Sequence, residues 1–94
     1  MIYSVIGLFK KEGPPHDAGF EAEVSEQLAQ PFRRIVNAGY LRDPDGARIG
    51  LLALIDVGTF AEAQSFLEAS PYHRGGHFES ARVAQYDVEI GRLD

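Results

Sequence analysis

The chain has 94 residues, 45% of them hydrophobic and 24% charged, which predicts one small folded domain and excludes both a second core and general disorder. It contains no cysteine, so disulfides, thiolate metal sites and a cysteine nucleophile are excluded together. The net charge is −5 and the nine Lys and Arg residues are scattered, which argues against a nucleic-acid partner.

Residues 2–9, IYSVIGLF, form a short apolar run rich in β-formers and predict a strand. KKEGPPHDAG at 10–19 reads as a loop broken by Gly and two prolines. From Phe20 the apolar positions 20, 24, 28, 32, 35 and 36 make one stripe of an amphipathic helix, with Asp17 or Ser25 placed to cap its start and Gly39 to end it. Pro31 interrupts the stripe: either the helix kinks there, or a second segment begins with Pro31 at its first position. Residues 40–42 fit a short strand, and DPDG at 43–46 is a strong turn signal.

RIGLLALIDV at 48–57 is the most hydrophobic strand of the chain. Thr59 with Glu62 forms a capping box opening a second helix, whose apolar residues Phe60, Ala63, Phe66 and Leu67 share a face until Pro71 bars its continuation. HFESARVAQYDVEIG at 77–91 alternates long enough for a final strand of ten or more residues. The order predicts an α+β fold, the ferredoxin-like β-α-β-β-α-β arrangement: a four-stranded antiparallel sheet with both helices on one face. With no repeat, low-complexity segment or linker visible, residues 1–94 are expected to form a single domain. The start MIYSVIGLFKK lacks the features of a signal peptide and no run is long enough to span a membrane, so a soluble cytoplasmic protein with no membrane association is expected.

Both faces of the central strands carry large apolar groups. In 48–57 they read Ile49, Leu51, Ala53, Ile55, Val57 and Arg48, Gly50, Leu52, Leu54, Asp56; in the first strand, Ile2, Ser4, Ile6, Leu8 and Tyr3, Val5, Gly7, Phe9. Two helices cover one face, and each large aliphatic side chain left bare on the other costs roughly 1.5–3 kcal/mol. A second copy of the same sheet is the expected cover, giving a homodimer with the sheets face to face around an apolar cavity. The alternative is that the loops at 10–19 and 70–77 fold over some of these residues. In the last strand Arg82 lies on a mostly apolar face, where it either binds an anion at the cavity rim or makes a salt bridge to Asp56 or a glutamate.

The run from Gly39 to Gly91, with DPDG, IGLLALIDV, TFAEA, SPY, GGHFES and VAQYDVEIG in that order, resembles the YciI-like (YCII-related) proteins. The resemblance covers about the C-terminal 55 residues, and the N-terminal third matches by element order alone. It implies a dimeric α/β barrel of ferredoxin-like protomers, for which a His/Asp pair near the cleft has prompted proposals of enzymatic activity. Here the family's first-helix histidine has its nearest counterpart in Gln27, followed by Leu28, and the aspartate of its Asp-Pro-aromatic motif is Ser70. Serine keeps the capping role at this turn, but it does not exchange a proton near neutral pH as a carboxylate does.

The chemistry-bearing residues concentrate in SPYHRGGHFES, residues 70–80. His73, His77 and Tyr72 are the candidates for acid/base or hydrogen-bonding work at a cleft, histidine because it titrates near neutrality. Ser70, Arg82 and Arg34 are the candidates for holding a ligand. His73 and His77 have H-x-x-x-H spacing, yet Gly75-Gly76 between them argues against a helix and hence a metal pair. His16-Asp17 invites a dyad reading, against which Asp17 is better placed as a helix cap. Ser70 with His73 lacks a third orienting residue or an oxyanion loop. No cofactor signature is present. Two functions stand: a dimeric binder of a small, partly apolar molecule with weak acid/base activity near residues 70–77, or a non-catalytic ligand-binding or interaction module that has lost the family's His/Asp pair.

Overall fold

The computed structural model describes residues 1–28 and 34–91. Four strands, β1 (Ile2–Phe9), β2 (Arg34–Arg42), β3 (Arg48–Asp56) and β4 (Phe78–Gln85), form one antiparallel sheet in the order β2-β3-β1-β4, the ferredoxin-like arrangement. Three helices join them: α1 (Ala18–Leu28), α2 (Phe60–Glu68) and α3 (Pro71–Arg74). Among these residues no helix is long and apolar enough to cross a membrane.

The register explains the core. Val5 faces Ala53 on one side and Val83 on the other, and Tyr3 faces Ile55, so these side chains share one face of the sheet. That face meets Ala63, Phe66 and Leu67 of α2, the three buried residues of its apolar stripe. Val5 and Ile55 are its most enclosed large side chains, each worth roughly 1.5–3 kcal/mol of burial. Phe60, on the same stripe, stays more than half exposed at the helix start. Thr59 caps α2 as its sequence demands, its Oγ1 accepting from Glu62 N at 3.1 Å, while the Glu62 carboxylate accepts from Gly58 N at 3.3 Å. Asp17 caps α1 through Phe20 N at 2.8 Å.

Three boundaries depart from the periodicity. The first helix ends at Leu28, and Ile35, Val36 and Gly39 belong to β2, nine residues long instead of three. The stripe continuing through 35 and 36 is a coincidence of spacing: β-branched Ile35 pairs with Ile55 of β3 and Val36 sits at the register shift that follows, in a ladder no local pattern encodes. The question raised at Pro31 lies outside the described residues. β4 stops at Gln85 after eight residues, because its one neighbour, β1, runs out at Ile2; a last bond from Tyr86 N to Ile2 O, 2.8 Å, closes the ladder. Pro71 opens not a simple turn but one helical turn, with Arg74 N on Ser70 O at 2.9 Å and Gly75 N on Pro71 O at 2.8 Å.

The sheet face turned from the helices carries Ile6, Leu8, Leu52 and Leu54. Leu8 is 40% exposed and Ile6 and Leu52 are half-buried, while Leu54 is buried.

Candidate functional site

A cavity of about 120 Å³ lies between the helix-facing side of the sheet and α1, closed at one end by the corner where α2 meets α3. It exists because the sheet offers little bulk there: Ala38 and Gly39 of β2 and Ala53 of β3 leave room beneath Val24 and Gln27 of α1. α1 packs chiefly against α3. The walls are mainly apolar, from Val5, Leu51, Phe66, Leu67 and Phe78, and the polar groups enter from one side. Ser70, buried at the N-cap of α3, makes no side-chain capping bond and lines the cavity. Beside it the hydroxyls of Tyr72 and Tyr40 lie 2.7 Å apart. Gln27 Nε2 donates to Phe66 O at 3.2 Å, which ties α1 to α2 across the cavity edge.

Tyr72 is almost fully buried, and its phenol is held well above the ordinary value of 10.0. Burial is the main cause, followed by the hydrogen bond and charge interaction with Tyr40; Arg48 works weakly the other way. Tyr72 is therefore a neutral hydrogen-bonding group at any physiological pH, not a base.

Behind Tyr72 stands a cluster of rings. Phe9 stacks on Tyr72 and Phe78 at 5.2 and 5.8 Å, and His16 and Phe20 close it from the other side. His77 lies within it, 4.2 Å from the Phe20 ring and 4.9 Å from His16. It is 4% exposed, and its Nδ1 is buried without a hydrogen-bond partner. Burial first, then the nearby His16 and Lys10, push its pKa below the ordinary 6.5, so the ring is neutral at pH 7.

The six residues singled out from the sequence thus divide. Ser70, Tyr72 and His77 come together, the first two on the cavity and the third behind them. His73 is exposed on the last turn of α3, so it shares no surface with buried His77 despite the H-x-x-x-H spacing. Arg82 is exposed and faces Ile6 across the ladder, on the sheet face turned from the cavity. Arg34 opens β2, and its side chain lies outside the described residues. Sequence reasoning missed Tyr40, which the β2–β3 pairing brings to Tyr72 from 32 residues away. A tyrosine directly after Gly39 in a strand was the one available signal, and it does not specify a partner.

No family model and no curated protein matches the sequence. Among solved structures the chain is similar to the 5-chloro-2-hydroxyhydroquinone dehydrochlorinase TftG from Burkholderia phenoliruptrix, in complex with 2,5-dihydroxybenzoquinone. The TM-score is 0.70 at 17% identity, over 93% of this chain and 94% of that one. It is also similar to a protein from Chloroflexus aurantiacus named for the antibiotic biosynthesis monooxygenases, with a TM-score of 0.55 at 15% identity over 97% and 98% of the two chains. At these identities the likeness carries the ferredoxin-like fold and nothing finer.

Proposed function

We propose that this chain is a YciI-like small-molecule-binding protein, whose ligand is a single-ring-sized, mainly apolar molecule bearing a hydroxyl or carbonyl group. The observation that carries this reading is a mostly apolar cavity of about 120 Å³ with the uncommitted hydroxyl of buried Ser70 in its wall. For scale, an apolar protein cavity of about 150 Å³ takes up benzene. The ring would lie against Val5, Leu51 and Phe66, and its polar substituent would meet Ser70 and the Tyr40–Tyr72 pair. TftG, whose structure holds a dihydroxybenzoquinone, lends this ligand class support through the shared fold.

Binding without turnover is the better-supported form. Gln27 and Ser70, standing where the family resemblance places a His/Asp pair, both line the cavity, and neither titrates near neutrality. Tyr72 keeps its proton. A second copy over the Ile6, Leu8 and Leu52 face completes the reading, since burying those side chains offsets the cost of exposing them. Sedimentation at micromolar concentration giving a monomer would remove the dimer from the proposal.

The test of the ligand class uses phenol, neutral at pH 7, in an amide NMR titration. Saturable shifts at Gln27, Ser70 and Tyr72, lost in Val24→Phe, are expected. Shifts that fail to saturate, or that survive Val24→Phe, would overturn the reading.

A further inference from the structure

A second concavity, of about 340 Å³, opens beside the ring cluster at the end of β1 and the start of the loop into α1. Its wall is made by Phe9, Lys10, Lys11, His16, Arg48 and His77, with two further small loop residues and no carboxylate. The chain has fourteen acidic and only nine Lys or Arg residues, yet three of those nine and two of its three histidines meet here. The scatter of basic residues along the sequence is undone by the fold: the β1–β3 ladder ends where Leu8 faces Gly50, and just beyond that end Lys10 and Arg48 line one cleft. Glu12, next in the loop, is exposed and does not line the cleft. Among the described residues no carboxylate pairs with Lys10, Lys11 or Arg48.

The surroundings are built rather than loose. Lys10 N donates to His77 O at 2.9 Å, and His77 N donates to Tyr72 O at 2.9 Å, so the cleft floor is fixed to α3 by backbone bonds. The Arg48 guanidinium carbon lies 4.1 Å over the Tyr40 ring, a cation–π contact that holds the group in place at the cleft. His77, 4% exposed, brings to the same wall a ring whose Nδ1 has no partner. Cations gathered without a counter-charge repel one another, and a bound anion relieves that repulsion.

We propose that this cleft is a binding site for a small oxyanion, the carboxylate or phosphate group of a metabolite, with Arg48 and Lys10 as its principal donors and Lys11 and His16 completing the rim. The site stands apart from the apolar cavity and does not rest on the ligand proposed there. Arg48 offers a planar pair of N–H groups that matches two oxygens of such an anion, and Lys10 adds a point charge in the same cleft.

The test is an amide and Arg-Nε NMR titration with inorganic phosphate in one arm and acetate in the other, at constant ionic strength set by sodium chloride. Saturable shifts centred on Lys10, Arg48 and His77 are expected in at least one arm, and the tighter arm identifies the anion class. Arg48→Gln and Lys10→Gln should each weaken binding by about tenfold or more, as loss of a charge-assisted hydrogen bond requires. Arg82→Gln, on the far sheet face, should leave it unchanged. Both substituted cleft residues are exposed, so the variants keep the fold, and their amide spectra verify it. Non-saturating shifts in both arms, or equal affinity in Arg48→Gln, Lys10→Gln and the unaltered chain, would overturn the site.

Discussion

The Tyr40–Tyr72 pair allows a prediction that runs against a ranking by burial. The two hydroxyls lie 2.7 Å apart, but Tyr72 is 4% exposed and Tyr40 39%. Tyr72→Phe removes the buried partner and leaves the Tyr40 hydroxyl where water reaches it, so the loss is the net worth of one hydrogen bond, about 1 kcal/mol. Tyr40→Phe instead strands the Tyr72 hydroxyl inside the protein, and an unsatisfied buried hydroxyl costs about 1–3 kcal/mol. Substituting the more exposed tyrosine is therefore the more damaging change. With both hydroxyls gone no polar atom is stranded, so the double variant should cost less than the sum of the two singles. In a domain of this size each 1 kcal/mol lowers the melting temperature by about 4–8 °C, which circular dichroism resolves easily. Urea titrations give the same differences through the midpoint at constant slope. If Tyr72→Phe proves as costly as Tyr40→Phe, or the two effects simply add, the argument from stranded hydroxyls is wrong.

Other consequences are equally open to measurement. His77 has a folded-state pKa below 6.5, so the unfolded chain binds more protons at mildly acidic pH; stability should be full above pH 6.5 and fall as pH drops towards the folded value. Chemical denaturation across pH 5–8 checks it, and His77→Gln should flatten the slope. Tyr72 has the opposite sign: its raised pKa holds stability below pH 10 and lets it fall as pH rises above 10, a decline that should shrink in Tyr72→Phe. Gly7→Ala should destabilise by about 1–3 kcal/mol, because a methyl group there overlaps the Phe78 ring and forces it out of the stack with Phe9; a variant as stable as the parent would show that the ring moves freely. Thr59→Ala should cost about 1 kcal/mol through loss of the α2 cap, read in the same denaturation experiment.

What could be read from the sequence follows the range of the forces involved. β1, β3, the DPDG turn and the α2 cap rest on local chemistry and were legible: Asp43 Oδ1 accepts from Asp45 N and Ala47 N as an Asp-Gly turn should, and Gly46 has φ 84°. β2 was misread because Ile35 and Val36 fit a helical stripe as well as a strand, and only the partner strand distinguishes the two. The length of β4 depends on where its neighbour begins, which its own alternation does not contain. At the site, Ser70, Tyr72 and His77 were found because they sit close together in sequence, whereas Tyr40 and Arg48 reach the same region only through sheet register. Arg82 stood out for its charge on an apolar face, but which face carries the helices is a tertiary fact.

The placement of α1 has a thermodynamic consequence. The helix leans on α3 and looks across a void where α2 has Val5, Ala53 and Ile55 beneath it. An apolar molecule filling that void becomes, in effect, the missing part of a hydrophobic core. Docking of α1 and uptake of the ligand are then one equilibrium, and the helix's resistance to local unfolding rises with ligand concentration as RT ln(1 + [L]/Kd). Slow amide exchange along α1 would thus report occupancy, even for a ligand with no spectroscopic signal of its own.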